Sequence, residues 1–211
     1  MIRTTPVGSN LSFATTFHER LQLAAQPYRD RLDARLPLLD PHLTLETYRS
    51  VLQRFYGFYM PLEAAMESSC VSALHEDMAR RRKTAWLVQD LLTLKDTPQA
   101  IAGLPLCPDL PSLDSHAQWL GALYAVEGLT LDGRLIARYL RHQFGADARR
   151  CCRFFLNYGS HVRLMWDVLL DNLELAAVRP DHERAIVDSA CRTLQCFDRW
   201  LAADGHSHVR R

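Results

Sequence analysis

The spacing of its apolar residues predicts that the chain is a single all-α domain of several helices. Apolar residues recur at spacings of three and four along most of the chain, which is the period of an amphipathic helix. No segment shows the alternating pattern of a half-buried strand. The 211 residues are 48% hydrophobic and 23% charged, which suits one complete core. We therefore expect one domain over residues 1–211, with residues 1–12 and 204–211 loose at its ends.

Capping residues, prolines and glycines divide the apolar pattern into six predicted helices. Thr44 is a good N-cap for the second helix, and Pro180 suits the first position of the sixth. Pro27 is a candidate break in the first helix, and residues 97–111, with four prolines, form the one long loop. The predicted helices cover about residues 11–36, 44–66, 71–94, 112–144, 146–173 and 180–201.

Composition argues against several classes of function. The net charge of +1 provides no field that would attract nucleic acid or an anionic membrane. No segment approaches the ~18 consecutive apolar residues that cross a bilayer, and residues 1–12 lack the pattern of a secretory signal. We therefore expect a cytoplasmic protein. The six cysteines contain no C-x-x-C pair and the nine histidines no zinc-site spacing, so we expect free thiols and no metal ligands.

Two glycines interrupt the predicted fourth helix, Gly128 and Gly133. Glycine in a helix interior costs ~1 kcal/mol relative to alanine. Close helix packing or a kink would explain them. So would a backbone that passes close to a flat ligand, where a Cβ atom would collide. The residues alone leave both explanations open.

Five segments, in order along the chain, share their pattern with one protein family. They are LDARLPLLD (residues 32–40), FYGFYMPLE (55–63), WLVQDLLTL (86–94), YAVEGLTLDGRLIAR (124–138) and FFLNYG (154–159), the last followed by Trp166. They resemble bacterial heme oxygenases, of the type often found beside bacteriophytochromes. The resemblance covers nearly the whole chain and implies a heme oxygenase-like fold.

The resemblance also implies a function. Members of the family hold heme between the first helix and a kinked distal helix. They use oxygen and external electrons to open the heme ring, which yields biliverdin, iron and carbon monoxide. Biliverdin then serves phytochromes as a chromophore. The iron needs one neutral imidazole, and basic residues hold the propionates. The implied partners are a tetrapyrrole ligand (heme or biliverdin), an electron donor and a bacteriophytochrome, with no nucleic acid and no membrane.

The sequence departs from the family on the first helix. The position that the resemblance assigns to the iron-ligating histidine is Arg29, whose protonated guanidinium offers no lone pair. A basic residue of the family corresponds to Gln22, and its usual threonine to Ala25. His18 could replace the histidine only through a register shift, because it lies eleven residues before Arg29, about 16 Å along a helix.

On the distal helix the resemblance keeps Gly128 and Gly133 but not their surroundings. Asp132 stands where a glycine is expected, and Arg134 where a glutamine is expected. A carboxylate against a porphyrin face is costly unless it is paired. We therefore consider an ion pair between Arg29 and Asp132 across the slot, with solvent-facing side chains at the rim as the alternative.

Three functions stay open at this point. The first is a heme oxygenase-like protein with an altered pocket, which lacks standard histidine-ligated heme oxygenation and binds heme or a bilin in a phytochrome-linked pathway. The second is an active heme oxygenase with a substitute proximal ligand, or none. The third is a non-catalytic interaction or regulatory protein with a closed pocket. A fold hosts more than one chemistry, so the helices alone do not decide.

Overall fold

The computed structural model describes residues 15–69, 75–145 and 150–203. All regular structure in these ranges is helical, without a strand, so the predicted all-α class is confirmed. The ends, residues 1–12 and 204–211, and the predicted start of the fifth helix at residue 146 lie outside the described residues. The helices are α1 (Phe17–Arg35), α2 (Leu45–Ser68), α3 (His75–Arg81), α4 (Thr84–Thr93), α5 (Pro98–Ala102), α6 (His116–Gly128), α7 (Gly133–Phe144), α8 (Arg153–Leu156), α9 (Val162–Ala176) and α10 (Pro180–Ala202).

Side-chain caps fix the starts of the two long N-terminal helices. Thr16 and Glu19 form a capping box at α1, each side chain bonding the other's backbone N–H. Thr44 caps α2 as predicted, since its Oγ1 accepts from the N–H of Thr47 at 3.1 Å. Pro27 does not end α1, which continues through it to Arg35.

The third helix was wrongly predicted to be continuous. It is divided into α3 and α4 at residues 82–83. The carboxylate of Glu63 explains the division, because it accepts the backbone N–H groups of Lys83 at 2.7 Å and Thr84 at 3.3 Å. Those groups consequently start a new helix instead of continuing the old one. The predicted loop 97–111 likewise contains a short helix, α5, capped by Thr97.

Two further predicted helices are broken. The fourth consists of α6 and α7, which are separated by residues 129–132, and α6 begins after a capping box between Ser115 and Gln118. The fifth is divided near Asn157, whose φ of 22° is incompatible with a helix. A 3₁₀ turn, Gly159–His161, then leads into α9. The sixth helix begins at Pro180, as predicted.

The core forms where α10 packs along α6 and α1, while α2 packs on α4. Aromatic side chains from three helices meet in its centre, with Phe58 stacked on Phe197 at 4.5 Å between ring centroids and Phe55 edge-on to Phe154 at 5.4 Å. Burial of each such ring contributes about 1.5–3 kcal/mol. The α6–α7 kink thereby rests against α8 on one side and faces α1 on the other. Among the described residues, no helix combines the length and the apolarity needed to cross a membrane.

Candidate ligand cleft between the first helix and the distal kink

A cleft of about 410 Å³ lies between α1 and the α6–α7 kink, and we call it the α1/α7 cleft. This volume falls within the range of small-molecule sites, about 300–1,000 Å³. Four polar or charged side chains face it, those of Gln26, Arg29, Asp33 and Asp132. The remaining lining is Gly128 and a set of apolar side chains: Leu36, Leu38, Leu39, Phe55, Leu129, Leu135, Ile136 and Phe155.

Helix geometry explains why α1 contributes three of the polar groups. Gln26, Arg29 and Asp33 are spaced by three and four residues, so they share one face of α1. Burial raises the pKa of Asp33; the charge of Arg29 opposes this shift and that of Asp132 adds to it. The cleft therefore combines one cation with two carboxylates between apolar walls.

The guanidinium of Arg29 packs directly against the distal helix at Gly128. A Cβ atom built on Gly128 would lie 1.8 Å from Nη2, 2.5 Å from Cζ and 2.6 Å from Nη1 of Arg29. The Cζ atom also lies 5.3 Å from the centre of the Tyr124 ring, within the range of a cation–π contact. The absence of a side chain at Gly128 thus makes room for a flat group, and here that group belongs to the protein.

Arg29 is incompletely satisfied in this position. Its Nε and Nη2 atoms are shielded from solvent and have no hydrogen-bond acceptor among the described residues. The ion pair considered between Arg29 and Asp132 is not formed within 4.0 Å, although both side chains line the cleft. Asp132 itself is exposed. A buried donor without an acceptor is unfavourable, typically by about 1–3 kcal/mol.

Gly133 and Arg134 stand outside the cleft lining. A Cβ atom on Gly133 would lie 2.0 Å from the carbonyl oxygen of Phe155, so this glycine permits close packing of α7 on α8. Arg134 is exposed and donates through Nη2 to the carbonyl oxygen of Gly159. Close packing therefore explains Gly133, whereas the space beside Gly128 is taken by the guanidinium of Arg29 and the ligand explanation stays a prediction.

The remaining predicted positions of α1 also lie outside the cleft lining. Gln22 is exposed and Ala25 is fully buried. His18 packs edge-on against Tyr124 and Trp166, with 6.1 Å between the ring centroids in each case. Burial lowers the pKa of His18, which favours its neutral form. The structure thus brings together Arg29, Gly128 and Asp132, but not the other predicted site residues.

Glu127, the neighbour of Gly128, lies in a buried charge cluster that was not predicted. The Oε1 atom of Glu127 accepts from the Tyr158 hydroxyl at 2.7 Å and lies 2.7 Å from Nζ of Lys83 and 3.7 Å from Nη1 of Arg81. Burial lowers the pKa of Lys83, and the charge of Glu127 opposes that shift. Its members come from three separated parts of the chain, residues 81–83, 127 and 158, and local spacing gave no signal for them.

The residues that line the α1/α7 cleft do not fit a heme held by a protein imidazole. Arg29 is protonated and has no lone pair for iron, and its guanidinium fills the space beside Gly128. Among the lining residues it is the one cation, and it faces the carboxylates of Asp33 and Asp132 across the cleft.

Comparisons with known proteins identify relatives of the chain. The model of the family described as "Heme oxygenase" matches residues 15–203. A heme oxygenase of Xanthomonas campestris pv. campestris (strain 8004) is 33% identical over 100 residues, which are 47% of this chain and 56% of that protein. The chain thus aligns with little more than half of that relative.

The fold has a counterpart among solved structures. The NO- and CO-bound heme oxygenase from Neisseria meningitidis superposes with a TM-score of 0.70, covering 89% of this chain and 91% of that one. The two sequences are 16% identical, so the likeness concerns the fold. It confirms the predicted heme oxygenase-like arrangement of helices.

Proposed function

Because the chain belongs to the heme oxygenase family, we propose that it is a tetrapyrrole-binding member that does not carry out histidine-ligated heme oxygenation. One observation carries this proposal: the guanidinium of Arg29 lies against Gly128, where a Cβ atom would be 1.8 Å from Nη2. The resemblance places the family's iron ligand at position 29. A protein with arginine there has neither the lone pair for iron nor the open space beside the distal helix.

The proposal retains a ligand because the cleft retains features of a binding site. Its volume of about 410 Å³ and its apolar walls suit part of a flat hydrophobic molecule. Nε and Nη2 of Arg29 have no acceptor among the described residues, and a ligand oxygen would satisfy them. An open-chain bilin offers carboxylate and lactam oxygens and needs no iron ligand. Biliverdin is therefore expected to bind more tightly than hemin.

The resemblance to the bacteriophytochrome-associated type gives this binding a context. A bilin carrier of this kind would hold the chromophore that phytochromes use, with a bacteriophytochrome as partner. An electron donor has no role in this proposal, because no iron is reduced. An active heme oxygenase with His18 as its ligand is less well supported, since His18 does not line the α1/α7 cleft.

Titration of the purified chain with biliverdin and with hemin, followed by absorbance, tests the proposal. We expect saturable binding of biliverdin, weaker binding of hemin, and no biliverdin formed when the hemin sample receives a reductant in air. Turnover of hemin to biliverdin would overturn the proposal and support the active enzyme. Absence of binding for both ligands would favour a non-catalytic interaction protein with a closed pocket.

Two substitutions of Arg29 distinguish two effects: obstruction of the space beside Gly128 and the lack of an imidazole ligand for iron. Arg29→Ala opens space beside Gly128 and should strengthen hemin binding without an imidazole-ligated spectrum. Arg29→His should add that spectrum. Arg31→His is the matched control, because Arg31 lies on the same helix but is exposed and contacts Tyr28. An imidazole-ligated spectrum in the unsubstituted protein would contradict the assignment.

A further inference from the structure

A second and larger cavity, of about 690 Å³, lies between the first turn of α2, the last turn of α4 and the segment that begins α8. It shares no lining residue with the α1/α7 cleft. Its size again falls within the range of small-molecule sites, about 300–1,000 Å³. We call it the basic pocket; its lining residues are Leu45, Glu46, Arg49, Leu92, Thr93, Leu94, Lys95, Arg150 and Arg153.

The basic pocket holds four cationic side chains and one carboxylate, that of Glu46. Lys95 and Arg150 form no ion pair with any described residue. The Nε atom of Arg49 is shielded from solvent and has no acceptor among the described residues. The Oδ1 atom of Asp96 lies 3.9 Å from it, too far for a hydrogen bond. Positive charge in this pocket is therefore only partly neutralised.

The fourth cation, Arg153, is held by a buried carboxylate beneath the pocket. Asp90 accepts the backbone N–H groups of Arg153 at 3.0 Å and of Phe154 at 2.9 Å. Its Oδ1 also lies 3.6 Å from Nη1 of Arg153, which donates to Thr93 at 3.3 Å. These contacts fix one wall of the pocket before any ligand arrives, which lowers the entropic cost of binding.

Lys95 stands out in both conformation and composition. Its φ of 75° places it in the left-handed region, at the position after a helix where glycine is usual. The chain has 25 lysine and arginine residues, of which two are lysines, and the other, Lys83, is buried. Lys95 is therefore the one exposed lysine side chain, and it lies at the pocket.

We propose that the basic pocket binds a small organic phosphate ester. Arginine forks and a lysine ammonium suit a phosphate group, which offers several charged acceptor oxygens. The side chains of Leu45, Leu92 and Leu94 provide an apolar surface for the organic part. A concave site of this volume fits a small molecule better than the flat surface of a protein partner. This proposal does not depend on the function proposed for the α1/α7 cleft.

Calorimetric titration with four probes tests the proposal: adenosine 5′-monophosphate, inorganic phosphate, adenosine and citrate. We expect adenosine 5′-monophosphate to bind most tightly, because it alone combines a phosphate with an organic group. Absence of saturable binding by both phosphate probes would overturn the proposal. Tighter binding of citrate than of adenosine 5′-monophosphate would overturn the assignment to phosphate esters.

Matched substitutions locate the site. Arg49→Met and Lys95→Met should each weaken binding of adenosine 5′-monophosphate by about tenfold, as expected for the loss of one charge-assisted hydrogen bond. Glu46→Gln should strengthen it by removing a repelling charge. Arg163→Met is the control, because Arg163 is exposed and pairs with Asp167. Unchanged affinity in Arg49→Met and Lys95→Met, with unchanged melting temperatures, would overturn the proposal.

Chemical labelling gives an independent readout in the unsubstituted protein. An amine-reactive ester should modify Lys95 in preference to the buried Lys83, and mass spectrometry of the digest measures the extent. We expect adenosine 5′-monophosphate to slow modification of Lys95 several-fold, whereas adenosine should not. Equal labelling rates at saturating adenosine 5′-monophosphate would place any bound phosphate elsewhere.

Discussion

Glu127 and Gly128 are adjacent in sequence, but each lies beside a different cation: Lys83, which is fully buried, and Arg29, which is half-buried. On the side of Glu127, Lys83 lies 2.7 Å from the carboxylate, which also accepts from Tyr158. On the side of Gly128, Arg29 packs against the backbone with Nε and Nη2 lacking acceptors among the described residues. One cation is thus matched by an opposite charge, and the other by a glycine.

This difference separates a structural role from the ligand-binding role that we propose. A buried charge with its counter-charge in place fixes the position of a helix and requires nothing further. A half-buried guanidinium whose Nε and Nη2 lack acceptors among the described residues, beside a cleft of about 410 Å³, leaves two donors that a ligand could satisfy. The first arrangement explains how the distal helix is anchored. The second marks the position at which a ligand would change the energy of the protein.

The largest expected effect comes from breaking the buried ion pair between Lys83 and Glu127. Lys83→Met leaves Glu127 buried without its closest cation, and we expect a loss of about 4 kcal/mol in the free energy of unfolding. Urea denaturation measures this loss. Arg82→Met is the control, because its ion pair with Glu67 is exposed. A loss below about 1 kcal/mol in Lys83→Met would show that the cluster does not anchor the helix.

A second prediction concerns Gly133, which meets backbone and not a flexible side chain. In Gly133→Ala the new Cβ atom would lie 2.0 Å from the carbonyl oxygen of Phe155, so α7 and α8 must separate. We expect a loss of about 3 kcal/mol. Gly133→Ala should cause the same loss in a protein that already carries Arg29→Ala, since Arg29 takes no part in this contact. Relief of the loss by Arg29→Ala would contradict the division between the two glycines.

Periodicity and capping residues predicted most of the fold, and the errors have tertiary causes. Apolar spacing located the helices, but the break before α4 depends on Glu63 accepting two N–H groups from a distant part of the chain. The break near Asn157 reflects a backbone conformation with a φ of 22°. Neither feature can be recognised from the spacing of apolar residues along the sequence.

The candidate site was predictable where a single position carries the chemistry. An arginine at position 29 and a glycine at position 128 could each be recognised as unusual from the sequence and the resemblance. Their direct contact could not, because it joins residues from α1 and α6. The cluster around Glu127 was missed for the same reason. All the predicted cofactor-binding roles stay predictions, those of Gln22, Ala25, Arg29, Gly128, Asp132, Gly133 and Arg134.

The third prediction tests the contact between Gly128 and Arg29 by a double-mutant cycle. Gly128→Ala would place a Cβ atom 1.8 Å from Nη2 of Arg29, and the side chain must move. We expect a loss of about 2 kcal/mol, smaller than for Gly133 because a side chain yields more easily than backbone. In the Arg29→Ala background the loss should fall below about 0.5 kcal/mol. An equal loss in both backgrounds would mean that Arg29 does not occupy the slot.

The smallest effect concerns a buried charge that is matched mainly by neutral groups. Burial raises the pKa of Asp90 to about 6, although two N–H groups and Arg153 oppose the shift. Because the folded protein then holds the proton more tightly than the unfolded chain, stability from Asp90 is present at low pH and is lost as pH rises towards 6. Between pH 5 and pH 7.5 the loss should be about 1.4 kcal/mol.

Urea denaturation of the unsubstituted protein and of Asp90→Asn at these two pH values isolates this contribution, because other titrating groups cancel in the comparison. Asp167→Asn, which changes a half-exposed carboxylate paired with Arg163, is the control and should behave as the unsubstituted protein. If Asp90→Asn retains the full pH dependence, N–H donors and Arg153 suffice to keep this carboxylate charged. The Nε and Nη2 donors of Arg29 would then be the less tolerable of the two arrangements, because they lack even neutral partners among the described residues.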